Sequence, residues 1–449
     1  MRVLLVLAGI VVLVLLFAGF YAGATPRVAL KPERPGIGRR TPVKIRIESP
    51  QRVEKVRVEV VQNGETKPVM EKTLEPRPGW KLWGGPGPLE LTAEVGRETV
   101  QGLRAGEATI RVTAERAGSL FRHPDPAVAE VRLPVRLAPP TLQIVSNFHY
   151  VNQGGCELVV YRVGEGTVRD GVQSFDWWFP SFPVPGPDKQ LRFVFFAVPY
   201  DKTDAAAVHL IAEDEVGNRA EASFIDKFTP RPMSTDTIPV TDPFMNKVVP
   251  EILSQSPEIA DQGDLLKNFL EINRVLRQKN AQTLKELGGK SEPKFRWNQP
   301  FLPMRNAKIT AAFAQRRTYL YNGKEVDQQV HLGFDMASVE HDAIPASNSG
   351  KVVLARYFGI YGNAIVIDHG YGLQSLYGHL SSIAVKEGQT VERGQELGRS
   401  GQTGLAGGDH LHFTMLLQGL PVSPVEWWDP HWIQDRVARK LGPALPYQQ

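Results

Sequence analysis

Several stretches of this chain alternate apolar and charged residues with a period of two, and that pattern restricts the fold more than any other feature. Val43, Ile45 and Ile47 alternate with Lys44, Arg46 and Glu48. Val56, Val58 and Val60 alternate with Arg57 and Glu59, and Ile110, Val112 and Ala114 with Arg111, Thr113 and Glu115. Val131, Leu133, Val135 and Leu137 complete the set. Successive side chains of a strand point to opposite faces, so this alternation specifies half-buried antiparallel strands. The 35 prolines argue against a helical bundle. A length of 449 residues exceeds one ordinary core, so the chain divides into several domains. The single cysteine, Cys156, forbids an intrachain disulfide and a Cys-rich zinc site. With 52 basic against 48 acidic residues the formal charge is only +4, which provides no footprint for nucleic acid.

The chain reads as mainly β, with six segments. Residues 1–24 contain an apolar run, Val3 to Tyr21, preceded by Arg2. As a helix it would span about 28 Å, close to the roughly 30 Å hydrocarbon core, and it is read as an N-terminal transmembrane helix. A cleaved signal peptide ending in Ala22-Gly23-Ala24 is the alternative. Either reading exports the remainder. Residues 25–138 form a β-sandwich module that ends at Ala138-Pro139-Pro140. Residues 139–230 form a second, Ig-like sandwich. Its strands run from Leu158 to Val163, Leu191 to Val198 and Val208 to Ala212, with a turn at Asp214 to Asn218. Its aromatic patch, Phe175, Trp177, Trp178 and Phe179, reads as packing, with sugar binding as the alternative. Residues 231–294 form a helical linker, in which Leu265, Phe269, Ile272 and Leu276 share one face between an Asp264 cap and Gly288-Gly289. Residues 295–430 return to strands separated by glycine-rich turns, and 431–449 form a C-terminal tail.

Six of the ten histidines fall between positions 331 and 412, a density that points to metal. His331 and Asp335 are four apart; a regular strand would hold them about 13 Å from each other, so the chain must bend, and Gly333 midway favours a bend or bulge. His410 and His412 would lie about 6.6 Å apart on one face of a strand, so that one ligates while the other faces substrate. His379 ends another strand. His331, Asp335 and one of the 410/412 pair make two nitrogens and an oxygen, the protein share of an open catalytic zinc site. No HExxH occurs, so the remaining histidines take the place of a glutamate base.

Residues 300–430 resemble the catalytic domain of LytM/lysostaphin-type zinc metallopeptidases, which cleave peptides of bacterial cell walls. The resemblance rests on His331-Leu-Gly-Phe-Asp335, Gly362-Asn363, Ile367-Asp368-His369-Gly370, Leu376-Tyr-Gly-His379-Leu, Val391-Glu-Arg-Gly-Gln395, Gly401-Gln-Thr-Gly404 and His410-Leu-His412-Phe. It implies a small antiparallel β domain with an open groove. It also implies that one zinc ion is held by His331, Asp335 and His412, while His379 and His410 activate water and stabilise the oxyanion. Tyr321 would support the transition state. Thr414 stands where the family often has glutamate, at a position that is not a ligand. The function implied is a zinc endopeptidase hydrolysing peptidoglycan stem-peptide cross-links. The alternative is a non-catalytic LytM-type module that activates another wall hydrolase. The expected setting is the cell envelope. The chain would be anchored in the inner membrane, with its catalytic domain facing the periplasm or exterior and divisome or cell-wall regulators as further partners.

Overall fold

The computed structural model describes residues 9–14, 25–76, 87–118 and 123–448. Most of the apolar run from Val3 to Tyr21, and with it the expected anchor, lies outside the described residues; residues 9–14 are helical. Among the described residues no helix is long and apolar enough to cross a membrane.

These residues form two compact units. One runs to Thr141 and includes Gly164–Arg169 and Ala212–Ala220. Its strands follow the alternation closely. Thr41–Glu48 sits between Arg27–Pro32 and Leu89–Val95 in one sheet, and Val53–Gln62 and Gly106–Arg116 are the central strands of a four-stranded second sheet. Val43, Ile45 and Ile47 of the first sheet share one core with Val56, Val58, Val60, Ile110 and Val112 of the second. Burying one face of each sheet against the other is the usual solution for strands patterned this way.

The other unit holds Leu142–Val163, Asp170–Ile211 and Glu221–Gln449. Its strands Cys156–Val163 and Leu191–Ala197 are buried on both faces almost throughout, as their unbroken apolar runs require. Aromatic rings cover them from the C-terminal part of the chain: Phe193 stacks on Phe295 with centroids 5.9 Å apart, and Phe195 packs on Trp427 at 5.9 Å. Phe179 of the aromatic patch is fully buried, while Trp177 and Trp178 are partly so. A buried ion pair, Lys440 Nζ to Glu157 Oε1 at 2.9 Å, adds a specific polar contact.

The segment expected to be a linker packs as part of this unit. Thr235–Val240 lies parallel to Gln315–Tyr321 at the edge of a three-stranded sheet, where Pro239 costs no ladder hydrogen bond. Helix Asp242–Gln255 and the helical stretch from Leu265 to Gly288 follow. The Asp264 side chain caps the second by accepting from Lys267 N at 2.8 Å. Phe269, Ile272 and Leu276 are fully buried in one core with Met245, Tyr319 and Ile360.

The site is carried by an eight-stranded antiparallel sheet. Its consecutive neighbours are Lys308–Ala311, Phe334–Ala337, Leu411–Leu417, Leu373–Leu380, Asn363–Gly370, Gly350–Tyr357 and Thr390–Val391, and Leu420–Val422 pairs beside Leu411–Leu417. His369 is fully buried at the end of Asn363–Gly370. It bonds the Ser349 carbonyl at 2.8 Å and Ser375 Oγ at 2.8 Å, so its role is structural. Burial pushes its pKa down to about 4. The unfolded chain binds a proton below about pH 6.5 and the folded chain does not until about 4, so stability falls as pH drops through that window. Urea midpoints should therefore decline between pH 6.5 and 4.5, and His369→Gln should lose less over the same range. Equal losses in the two proteins would contradict this assignment.

Candidate metal centre and active site

His331 ends the strand Lys324–His331, and Asp335 lies in the next strand, Phe334–Ala337. The break at Leu332-Gly333 brings the two side chains together, with Nε2 of His331 2.9 Å from Oδ1 of Asp335. Any side chain at 333 would prevent this, because a Cβ there would lie 2.6 Å from the His412 ring and from Thr414 Oγ1. His412 reaches the same point from Leu411–Leu417, directly opposite Asp335 in the antiparallel register. Its Nδ1 is 2.9 Å from Asp335 Oδ1 and 3.1 Å from His331 Nε2.

The outer nitrogens of both rings are already committed. The Thr414 hydroxyl donates to the Leu332 carbonyl at 2.9 Å, so its oxygen accepts from Nε2–H of His412 at 3.0 Å. Nδ1–H of His331 donates to the Ala312 carbonyl at 3.1 Å. The inner nitrogens therefore present lone pairs to one another and to a carboxylate oxygen. Three electron-rich atoms this close repel unless a cation lies among them. Two imidazoles and a carboxylate, each ring oriented by an outer partner, fit zinc. Arg317 Nη2 holds the other carboxylate oxygen, Oδ2, at 2.9 Å. Burial alone would raise the Asp335 carboxyl, but the facing His331, His410 and His412 rings hold it well below the ordinary carboxylate range. Burial lowers His412 to about 4, against the opposing pull of Asp335.

His379 sits in a bulge of Leu373–Leu380 with φ 64°, a left-handed conformation uncommon for non-glycine residues. Its Nδ1–H donates to the Thr403 carbonyl at 2.8 Å, which leaves Nε2 for the groove. Thr403 is itself braced. Its hydroxyl donates to the Leu380 carbonyl and accepts from Asn363 N, both at 2.9 Å. The contact needs glycine at 362, where φ is 60° and a Cβ would lie 2.4 Å from Thr403. The Gly362-Asn363 and Gly401–Gly404 motifs thus meet to orient His379. Burial, then the neighbouring His410 and His412, keeps His379 well below the usual imidazole pKa. His410 lies 4.8 Å from His379 between ring centroids, its Nδ1–H given to the Gly408 carbonyl at 2.8 Å. Burial lowers its pKa, but hydrogen bonding and charge attraction to Asp335 raise it overall.

All five histidine and aspartate residues singled out in the sequence therefore line one groove, which encloses about 350 Å³. Tyr321 is placed elsewhere. It lies at the hairpin end of its strand and donates its hydroxyl to Asp242 Oδ1 at 2.8 Å, while Tyr319 and Tyr361 line the groove instead. The Tyr361 ring is 5.4 Å from His412. Sequence reasoning also missed the tasks of Thr414 and Arg317. Thr414 had a signal, since it stands two residues from His412 on the same strand face; Arg317 had none.

The antiparallel β groove thus brings together an N₂O donor set that could hold a metal ion and two further histidines. Residues 329–424 match the family model described as Peptidase family M23, so this chain carries an M23 peptidase domain in its C-terminal region. Peptidoglycan DD-endopeptidase ShyA of Vibrio cholerae is 30% identical over 172 residues, 38% of this chain and 37% of the relative. DD-carboxypeptidase/endopeptidase Mpg of Neisseria meningitidis is 38% identical over 97 residues, 22% of each chain. Murein hydrolase activator EnvC of Escherichia coli is 35% identical over 95 residues, 21% of this chain and 23% of the relative. The chain thus matches well under two thirds of each relative's length.

Removing the Thr414 hydroxyl should loosen the metal site without unfolding the sheet. Thr414→Val is expected to bind zinc about 10- to 100-fold more weakly than the wild type in a chelator competition, with an unchanged circular dichroism spectrum. Equal affinities would contradict the proposed orientation of His412.

Proposed function

We propose that this protein is a zinc-dependent endopeptidase that hydrolyses peptide cross-links of bacterial peptidoglycan. The observation that carries the reading is the convergence of His331, Asp335, His379, His410 and His412 on one groove. A zinc ion held by His331, Asp335 and His412 would supply Lewis acidity to the scissile amide. The chain's own residues do the rest. His379 presents Nε2 to take a proton from the attacking water, and His410 faces the carbonyl oxygen as negative charge grows on it. The proton then passes to the departing amine as the C–N bond breaks. The peptidoglycan endopeptidases among the relatives support stem peptides as the substrate class.

Similarity to a murein hydrolase activator motivates the second reading, a module that binds and activates another wall hydrolase. The complete five-residue set favours catalysis. Under either reading the chain would sit in the cell envelope, anchored through the run from Val3 to Tyr21 with the groove facing the periplasm or exterior. Divisome or wall-regulator proteins would be the further partners.

Cross-linked muropeptides incubated with zinc-loaded protein should be cut, and a chelator should stop the reaction. His379→Ala should retain one zinc per chain but lose turnover by about 10²- to 10⁴-fold. Wild-type rates from the variant would remove His379 from the chemistry. Zinc binding by the wild type with no cleavage at all would favour the activator reading.

A further inference from the structure

One wall of the groove comes from outside the M23 match, residues 329–424. Ile238, Phe244 and Arg277 line it together with the histidines. Arg277 directly follows a π turn, Ile272–Leu276, that interrupts the second helical stretch. Single π turns within helices are rare and frequent at functional sites.

The Arg277 side chain is held in place. Its Nε donates to the Asn273 carbonyl at 3.1 Å and its Nη2 to Asn273 Oδ1 at 2.6 Å. Asn273 is fixed in turn, its Nδ2 donating to Asp327 Oδ2 at 2.7 Å. Asp327 already serves another cation, with Oδ1 2.9 Å from Arg274 Nε. Among the described residues no carboxylate pairs with Arg277. The groove's other guanidinium, Arg317, is taken up by Asp335, the only carboxylate among the lining residues. Both bonds from Arg277 go to neutral oxygens, so the groove retains a preorganised positive charge. Guanidinium forks favour planar oxyanions, and bonds between charged partners are the strong ones. The Arg277 charge also acts on the adjacent Tyr361 phenol, lowering it against the larger upward push of burial.

We propose that Arg277 is a specificity-determining residue that binds a carboxylate of the peptide substrate and so positions the scissile bond beside His379 and His410. This rests on the endopeptidase reading for the nature of the substrate, but the binding step does not require turnover. The carboxylate could be the peptide's C-terminal group or a side-chain group, and both present the same planar anion.

The test uses zinc-loaded full-length protein and three synthetic cross-linked stem peptides. One has every carboxylate free, one has its C-terminal carboxylate amidated, and one has the side-chain carboxylate of its diamino acid amidated. Dissociation constants are measured by calorimetry on the His379→Ala background, so that nothing is cut. Amidating one of the two positions should weaken binding about tenfold or more, and that position identifies the carboxylate. Adding Arg277→Gln should weaken binding of the free peptide to the same level and abolish the discrimination. Arg277→Lys should recover part of it. If neither amidation weakens binding to the Arg277 protein, the proposal is overturned, and this result needs no folded variant. Discrimination that persists in the Arg277→Gln protein also overturns it. Discrimination that depends on Arg277, in a protein whose wild type cuts none of the peptides, would count against the endopeptidase reading and leave this assignment standing.

Discussion

Everything at the site follows from one electrostatic demand: two imidazole lone pairs and a carboxylate oxygen converge to within 3.1 Å of one another. No arrangement of neutral neighbours relieves that crowding. The protein bears it because each ring is fixed from behind, His331 by the Ala312 carbonyl and His412 by Thr414. The sheet register supplies the convergence. Asp335 and His412 are direct cross-strand partners, and the break at Leu332-Gly333 returns His331 to the same point.

His379 relies on a separate brace. Thr403 joins the Asn363 strand to the end of the His379 strand and accepts the Nδ1–H of His379. Two motifs far apart in sequence therefore act as one support, and Gly362 and Gly404 are glycines because a Cβ on either would separate them. The groove is lined by one carboxylate and two guanidiniums, so its own side chains favour negative charge.

Much of this was legible in the sequence, for physical reasons. Period-two alternation reports burial of one face, so Val43 to Ile47 and Val56 to Val60 announced their strands directly. The bend at Gly333 was legible because a regular strand cannot bring positions 331 and 335 to one ion. The position of residues 235–288 was not. Pairing of Thr235–Val240 with Gln315–Tyr321 is parallel and long-range, and such contacts leave no local periodicity. The amphipathic face of the helix was visible at Leu265 to Leu276, but an apolar stripe does not say what it packs against. Tyr321 was misplaced for a similar reason: one pleat along the same strand separates a residue in the groove from one bonded to Asp242.

The most direct test is anomalous diffraction at the zinc edge from crystals of the protein loaded with one equivalent of zinc. A single zinc is expected about 2.0–2.2 Å from His331 Nε2, Asp335 Oδ1 and His412 Nδ1, with His379 and His410 outside its coordination sphere. Zinc ligated by His379 or His410 in place of one of those three, or absent from the groove, would contradict it.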